Sequence, residues 1–443
     1  TRREGNYLMS VLGRVNYDFA GKYLVSVAAR RDGLSVWAPG RKWATFPSAS
    51  VGWRIDQEEF MKSQSMISEL KVRAGYGVTG LAGTVLGNFP WLVAVDANNT
   101  VYPFNNVNAG STTTQGSSIN ALGNNELEWE KTNQLNIGLD LGLFRNKLTL
   151  SAEYFVRNTD NLLLNVPIPP SFGYPNASVL QNIAEMENKG FELQLGYSSS
   201  VSRDFRWNVL GNLSAIRNKV KNLAPGVPNI EAGGNQDFGT YNITRTEAGQ
   251  AVQSFYGWIV DGIFQSQAEV NSSAAQVNAL NASASYKNFD LSVFFQGIQG
   301  NKVFNASRII SEGMVRLFNS STEVLNAWAP GKTNTTVPRA INGDPNQNVR
   351  PSDRWIEDGS YLRLKNVMLA YNVPSAALSR IGRGVVNSFR IYVSSQNLLT
   401  FTKYKGYDPE VGNRTPGSSL TNGIDYATYP QPRSFQVGIQ ATF

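Results

Sequence analysis

The sequence predicts an all-β protein that forms a partial antiparallel transmembrane β-barrel. Three observations predict this class. Apolar and polar residues alternate with period two in about 14 segments, the connections between these segments are alternately short and long, and the chain ends on an aromatic residue that closes an alternating segment. The composition agrees, because 41% hydrophobic residues, 40 glycines and only 16% charged residues fit neither a disordered chain nor a helical bundle.

Segments with two different faces are clearest at 70–79, 134–141, 148–157 and 434–443. Within 134–157 one face is predicted to meet lipid through Leu135, Ile137, Leu139, Leu148, Leu150 and Tyr154. The opposite face is predicted to line a wet lumen with Gln134, Asn136, Thr149, Ser151 and Glu153. Further strands are expected at 6–19, 22–30, 43–53, 190–198, 205–216, 245–264, 279–287, 289–299, 361–373 and 388–400.

A membrane crossing by helices is not available to this sequence, since it contains no apolar run of 18 or more residues. The mean hydropathy of −0.27 does not argue against strands that cross a membrane. Such strands present apolar side chains at alternate positions only, which leaves the average close to that of a soluble protein.

The connections predict which end of the sheet faces outward. Outer-membrane barrels have short periplasmic turns and long extracellular loops. The long segments are therefore expected to be extracellular, and they are 80–128, 158–187, 217–244, 301–358 and 402–431. One parity check fails, because the short turns at 198–204 and 287–289 require an even number of strands between them, whereas three are predicted. Either 245–264 folds back as two strands or a strand is missing from this sequence.

Residue types argue against catalysis. The chain has no cysteine and no histidine, which excludes thiol nucleophiles, disulfides, Cys/His zinc sites and Ser-His-Asp triads. Two carboxylate clusters are interpreted as turn and rim hydrogen bonding, at Asp56, Glu58 and Glu59 and at Asp353, Glu357 and Asp358. The net charge of +7 is scattered along the chain and does not indicate a nucleic-acid partner. We expect no enzyme, no cofactor and no metal site.

Several short stretches, in a fixed order along nearly the whole chain, resemble a known family. They are Lys22-Tyr23-Leu24 with Arg31-Asp32-Gly33, Phe46-Pro47-Ser48, Leu70-Lys71-Val72-Arg73-Ala74-Gly75-Tyr76-Gly77, Leu127-Glu128-Trp129-Glu130-Lys131-Thr132, Glu187-Asn188-Lys189-Gly190-Phe191-Glu192, Asp358-Gly359-Ser360-Tyr361-Leu362-Arg363-Leu364-Lys365-Asn366-Val367, Gln396-Asn397-Leu398 and Tyr404-Lys405-Gly406-Tyr407-Asp408-Pro409-Glu410. Together they resemble the SusC/RagA-like TonB-dependent transporters, large outer-membrane importers of the Bacteroidota.

The resemblance implies a 22-stranded barrel that is plugged by an N-terminal domain and capped by a substrate-binding lipoprotein. Residues 1–443 would then be the C-terminal portion of the barrel, with the plug domain and the first barrel strands absent from this sequence. About 14 strands are too few to close such a barrel alone. Members of the family usually carry an acidic Gly/Asp-rich stretch before a sequence like 281–287, so we also expect a sequence gap near 277–278.

Candidate contact residues for a substrate are the aromatic side chains of the long loops, because exposed rings stack on sugar faces or receive apolar peptide side chains. They are Trp91, Tyr102, Phe104, Phe172, Tyr174, Tyr241, Phe304, Trp328, Trp355, Tyr404, Tyr407 and Tyr429. The last strand resembles the signal that the outer-membrane assembly machinery recognises, with Phe435, Val437, Ile439 and the terminal Phe443 on one face.

The resemblance implies a nutrient importer in the outer membrane of a Gram-negative bacterium. It would take up oligosaccharides or peptides delivered by a SusD-like surface lipoprotein, with energy supplied through TonB. One alternative is a siderophore- or cobalamin-type TonB-dependent receptor. Another, from a different class, is a secreted carbohydrate-binding β-sandwich, which would have shorter strands and a buried aliphatic core.

Overall fold

The computed structural model describes residues 5–81, 89–102, 114–167, 178–223, 226–234, 241–260, 267–270, 276–316, 318–332, 334–381, 386–412 and 421–443. The strands are β1 Leu8–Phe19, β2 Tyr23–Leu34, β3 Trp43–Arg54, β4 Ile67–Leu81, β5 Ala94–Tyr102, β6 Thr114–Ala121, β7 Glu130–Leu143, β8 Leu148–Pro167, β9 Ser178–Ser200, β10 Phe205–Leu223, β11 Asn229–Ala232, β12 Thr244–Glu247, β13 Ser254–Trp258, β14 Gln267–Val270, β15 Gln276–Tyr286, β16 Phe289–Gln299, β17 Lys302–Asn305, β18 Ile356–Asp358, β19 Tyr361–Asn372, β20 Ser388–Thr402, β21 Ile424–Asp425 and β22 Ser434–Thr442. The α-helices are α1 Ala306–Glu312 and α2 Ser375–Ile381.

One antiparallel sheet of 13 strands dominates the molecule. Its order is β1-β2-β3-β4-β7-β8-β9-β10-β15-β16-β19-β20-β22, so each strand pairs with the next barrel strand along the chain. Within the described residues the two outermost strands, β1 and β22, do not pair with each other. The sheet is therefore open, which confirms the prediction that this chain does not close a barrel alone.

The connections define two ends of the sheet, here named the short-turn end and the long-loop end. The short-turn end carries the connections 20–22, 55–66, 144–147, 201–204, 287–288 and 373–387. The tightest of these need left-handed backbone, as at Ala20 and Gly21 (φ 58° and 65°) and at Lys287 (φ 52°). In the first turn the Gly21 amide donates to Asp18 Oδ1 at 2.7 Å, which fixes the reversal.

The predicted barrel strand at 245–264 is wrong. Its residues supply β12 and β13, two short strands of a separate four-stranded sheet, β11-β12-β13-β14. The alternation is interrupted between them by left-handed backbone at Gly249 (φ 95°) and Gln253 (φ 60°), which turns the chain back. Because β10 pairs directly with β15, two strands lie between the turns 201–204 and 287–288. Parity is thus satisfied without an additional strand, and the missing segment near 277–278 stays a prediction.

Buried apolar clusters occur where the long loops pack. The largest cluster joins three loops and consists of Ile243, Phe255, Phe304, Ala306, Ile309, Val349, Trp355 and Ile424. A second cluster packs residues of neighbouring strands and loops at the long-loop end. It consists of Trp37, Ala44, Phe46, Leu127, Trp129, Leu163 and Leu180. Between the two ends, the main sheet is a single layer with one apolar and one polar face. In the described residues no helix is both long enough and apolar enough to cross a membrane.

Candidate functional site

The apolar face of the sheet is open rather than packed against a second layer. In the β7–β8 pair, Ile137 lies opposite Tyr154 and Leu135 lies opposite Val156. The exposed fractions of Ile137, Tyr154 and Leu135 are 51%, 47% and 44%. A soluble sandwich would bury these side chains in a core. The arrangement confirms the predicted faces and removes the β-sandwich alternative.

Aromatic side chains on the same apolar face gather at the short-turn end. The ring centroids of Phe289 and Tyr371 are 4.9 Å apart, and those of Tyr197 and Trp207 are 5.0 Å apart. Further pairs along this edge are Phe19 with Tyr23 and Phe205 with Tyr286. An aromatic row with polar tips beside an apolar band is the arrangement that membrane-spanning barrels place at a lipid–water interface.

The polar face carries paired charges. Arg73 on β4 donates through Nε to Asp140 at 3.3 Å and through Nη1 to Glu153 on β8. Glu153 also accepts from Asn136 Nδ2, and Ser151 Oγ donates to Asp140 at 2.7 Å. Sequence alternation placed these groups on one face, but only the strand register brings the arginine between its two carboxylates.

Gly138 makes this network possible. It stands between the two carboxylates on the polar face, and a Cβ added there would lie 2.6 Å from the Arg73 guanidinium carbon. On the same polar face, β1 to β4 and β7 form a groove of about 770 Å³. Its lining mixes neutral side chains such as Asn16, Ser26 and Gln134 with the charged Arg14, Asp18, Lys71 and Arg73. The polar face therefore offers hydrogen-bonding groups together with charges of both signs.

A buried ionic latch, here the Arg363 latch, holds the 403–412 segment against the sheet. Arg363 on β19 is 1% exposed and donates to Asp408 Oδ1 at 2.5 Å, to Glu410 at 2.9 Å and to Thr400 Oγ1 at 3.0 Å. Lys365 Nζ donates to the same Glu410 oxygen at 2.9 Å. The latch joins two of the stretches that carry the family resemblance, 358–367 and 404–410, and gives both a structural reason.

Two loops, the β16–β19 connection and the β20–β22 connection, are joined beside this latch by a second polar cluster. Tyr404 Oη donates to the fully buried Asp425 at 2.5 Å. Glu357 accepts from the Lys405 amide at 2.9 Å and from Arg308 Nη1 at 2.8 Å. Burial, and then the Asp425 carboxylate, raise the pKa of the Tyr404 hydroxyl far above its usual range. This hydroxyl is a permanent donor that ties Tyr404 to Asp425 within the β20–β22 connection, while Glu357 joins this connection to the neighbouring loop.

The predicted loop aromatics differ in how far their side chains are exposed. The prediction that Phe304, Trp355 and Tyr404 face a substrate is wrong, because they are 1%, 1% and 6% exposed. Phe304 and Trp355 pack in the largest apolar cluster, and Tyr404 is bonded to Asp425. In contrast, Tyr407 and Tyr429 are 74% and 86% exposed. Trp328 and Tyr241 are partly exposed, and each faces an arginine, Arg339 and Arg350 respectively.

The remaining predicted aromatics give less information. Trp91 is partly buried near the backbone of Gly123. Phe104, Phe172 and Tyr174 lie outside the described residues, as does the side chain of Tyr102. Sequence reasoning missed Trp258, whose ring stands edge-on to Tyr241 at 5.1 Å with the Arg350 guanidinium 5.5 Å from its centroid. Trp258 lies within the predicted strand 245–264 and so is absent from the aromatic residues of the predicted loops.

Carboxylates elsewhere behave as rim and turn groups. Glu58 accepts hydrogen bonds from Lys22, Tyr23 and Trp53, and Asp358 accepts from the amide and hydroxyl of Ser360. Across the parts of the chain that the structure describes, no group of three or more acidic side chains is arranged to hold a metal ion.

An open amphipathic sheet with a polar groove and long packed loops leads to one class of known proteins. The family model described as TonB dependent receptor-like, beta-barrel matches residues 2–398. The chain belongs to this family. Membership places the sheet in the outer membrane, with its apolar face toward lipid and its polar face toward the lumen. The short-turn end is then periplasmic and the long-loop end extracellular.

Known relatives narrow the type to the SusC/RagA group. The chain is 33% identical over 477 residues to TonB-dependent receptor P3 of Formosa agariphila, covering 98% of this chain and 45% of the relative. It is 31% identical over 472 residues to TonB-dependent receptor SusC of Bacteroides thetaiotaomicron, covering 99% and 44%. The solved RagAB peptide transporter matches with a TM-score of 0.82 and 27% identity, covering 99% of this chain and 47% of the solved chain.

The chain therefore spans about half the length of the curated relatives it matches. Family membership agrees with the expectation that the chain is not an enzyme.

With the short-turn end in the periplasm, Phe443 follows β22 at the periplasmic end, where the Asn387 amide donates to the Thr442 carbonyl at 2.7 Å. Tyr407 and Tyr429 lie in the connection between β20 and β22, at the extracellular end.

Proposed function

We propose that this chain forms part of the wall and the outer loops of a TonB-dependent importer that takes up oligosaccharide or peptide fragments. The observation that carries the substrate class is the mixed lining of the groove, where neutral Asn, Ser and Gln side chains stand beside both basic and acidic groups. Arg73 is neutralised by Asp140 and Glu153, and Arg363 by Asp408 and Glu410. A neutral sugar oligomer or a peptide of mixed charge suits such a wall better than a strongly anionic metal chelate, which would be favoured by unpaired cations.

We further propose that a SusD-like lipoprotein covers the extracellular end and delivers the substrate. Support comes from the likeness to the solved RagAB peptide transporter over 99% of this chain. It also comes from the ordered outer loops, where the Arg363 latch and the Tyr404–Asp425 bond hold exposed Tyr407 in a fixed segment. A fixed, exposed aromatic suits either a ligand or a docking lid.

The remaining parts of the proposal follow the domain organisation of the family. A plug domain and further barrel strands would complete the lumen, and the plug would contact TonB, which transmits energy from the inner membrane. Residues 1–443 would contribute no energy-coupling element of their own. The predicted role of the β22 side chains Phe435, Val437, Ile439 and Phe443 in assembly also remains a proposal.

Uptake by living cells tests this function. A strain that lacks the gene for the full-length protein is complemented with the wild type or with Tyr407→Ala, and uptake of fluorescent peptides and oligosaccharides is measured. One of these two substrate classes should depend on the wild-type gene, and the lipoprotein should co-purify with the barrel. Asn346→Ala, a change at another exposed loop residue, serves as the matched control for surface effects.

Dependence on a ferric siderophore or cobalamin, with no change in uptake of either fragment class, would overturn the proposal. Purification of the full-length barrel from native membranes without any lipoprotein would overturn the lid assignment.

A further inference from the structure

The periplasmic connection between β3 and β4, residues 55–66, is built differently from the other short turns. It contains two short 3-10 segments, Ile55–Gln57 and Glu59–Met61. Two of its apolar side chains are left in the open, since Phe60 is 66% and Met66 is 53% exposed. Apolar side chains at a turn tip are costly in water, so their surroundings need an explanation.

Hydrogen bonds show to which side this turn folds. Tyr23 and Trp53 lie opposite each other on the lipid-facing side of β2 and β3. Glu58 Oε1 accepts from Tyr23 Oη at 2.8 Å and from Trp53 Nε1 at 3.0 Å, while Oε2 accepts from Lys22 Nζ at 3.0 Å. The carboxylate is thus fastened to the polar tips of two aromatic rings that belong to the interfacial row. At Glu58 the turn therefore lies on the lipid-facing side of these strands.

Phe60 must lie close to the same surface. It follows Glu58 by two residues, so its Cα is within about 7 Å of the fastened residue. Its exposed ring is therefore within reach of the aromatic row formed by Phe19, Tyr23 and Trp53, which is itself part of the lipid-facing surface. A patch that is continuous with the lipid interface, and at its periplasmic rim, has phospholipid as its natural neighbour.

The charges around the patch indicate the kind of lipid surface. Basic residues Lys22, Arg54 and Lys62 are matched by acidic residues Asp56, Glu58 and Glu59. Each acidic group has a basic partner within 3.3 Å, with Lys22 on Glu58, Arg54 on Asp56 and Lys62 on Glu59. A balanced set of ammonium, guanidinium and carboxylate groups matches a zwitterionic headgroup layer, where both signs of charge are present.

We propose that residues 55–66 form an interfacial anchor that seats Phe60 and Met66 among the phospholipid headgroups of the periplasmic leaflet, with Glu58 holding the anchor to the barrel wall. The bonds from Trp53, Lys22 and Tyr23 lower the pKa of Glu58 to about 2, so the Glu58 carboxylate remains charged at every pH the envelope experiences. The anchor sets the depth at which this part of the barrel sits in the bilayer.

Spin labelling in a bilayer tests the anchor. Because residues 1–443 contain no cysteine, a single nitroxide can be placed at position 60 of the full-length protein after replacement of any cysteine in its remainder. The purified protein is reconstituted into zwitterionic phosphatidylethanolamine–phosphatidylcholine bilayers, and collision rates with oxygen and with a water-soluble nickel chelate are compared. A label at Arg203, exposed in another periplasmic turn, is the matched control.

We expect the label at 60 to collide at least fivefold more with oxygen, relative to nickel, than the label at 203. Glu58→Ala should shift the label at 60 toward the control value, whereas Glu59→Ala, which removes only the pairing with Lys62, should leave it in place. A label at 60 that reads as water-exposed in the wild-type bilayer would overturn the proposal. Protection in native envelopes but not in the purified bilayer would overturn it as well, because the partner would then be a protein.

Discussion

Loss of the Arg363 latch should release the 403–412 segment from the barrel. Arg363→Met removes a guanidinium that is 1% exposed and leaves Asp408, 5% exposed, without its cation. Removal of one partner from a buried ion pair costs about 3–5 kcal/mol. Because about 1.4 kcal/mol corresponds to a factor of ten, opening of the segment should become roughly two to three and a half orders of magnitude more frequent. The contact with the more exposed Glu410 is left out of this figure.

Amide hydrogen exchange on the full-length protein in lipid nanodiscs measures this opening directly. Exchange of the Glu410 and Gln431 amides, both of which donate to Asp408 at 2.9 Å, should accelerate by at least one hundredfold. Arg363→Lys should give a partial effect, because one ammonium cannot reproduce the geometry of the guanidinium.

Two controls isolate the buried pair. Arg339→Met removes a charge from an exposed loop position and should leave exchange at 404–412 unchanged. The double variant Arg363→Met with Asp408→Asn should recover part of the loss, since the uncompensated buried charge is gone. If exchange of the Glu410 amide in Arg363→Met stays within threefold of the wild type, the buried pair does not hold the 403–412 segment.

Three further predictions concern other parts of the chain. Deletion of Phe443 should lower the amount of folded barrel in the outer membrane without changing which substrate is taken up, as followed by heat-modifiable gel mobility and uptake; unaltered assembly would contradict the role. Tyr404→Phe should lower the melting temperature through loss of the bond to Asp425, whereas Tyr407→Ala should reduce uptake and leave melting unchanged. Glu58 has its pKa lowered from 4.5 to about 2, so its contribution to stability is complete above pH 4.5 and is lost as the pH falls toward 2. Glu58→Gln should flatten that part of a profile of melting temperature against pH. An unchanged profile would argue against the role of Glu58 in holding the 55–66 turn.

The regular part of this fold could be predicted because the side-chain period of a strand is two and one face must meet lipid. Leu135, Ile137 and Tyr154 are recognisable as one face from their spacing alone, and their register confirms it. Thirteen of the predicted strands are present in the main sheet. Strand ends were less well predicted, because β8 and β9 continue beyond the membrane band, where the requirement for alternation ends.

The segment 245–264 shows the limit of this reasoning. Thr246 and Phe255 are buried, but they pack within the small loop sheet and the loop cluster rather than against lipid. Periodicity records only that one face is apolar and does not say what covers it. The left-handed turn at Gly249 was the local signal that could have divided this segment into two.

The candidate site was predicted less well than the fold, for a physical reason. Aromatic residues in long loops serve both packing and contact, and composition does not distinguish Trp355, which is 1% exposed, from Tyr429, which is 86% exposed. The Arg363 latch likewise joins residues 45 positions apart, through contacts that have no sequence period. Such contacts become visible only when the strands have set their register.

Cysteine scanning along β7 in the full-length protein shows directly whether this sheet is the wall between lipid and lumen. Single labels at positions 134–137 and 139–141 are compared for quenching by brominated lipid and by a water-soluble quencher; Gly138 is left out because a side chain there would meet Arg73. We expect strict alternation, with positions 135, 137, 139 and 141 quenched by lipid and positions 134, 136 and 140 quenched from water. Uniform protection of both sets, as in a packed soluble core, or alternation in the opposite phase would contradict it.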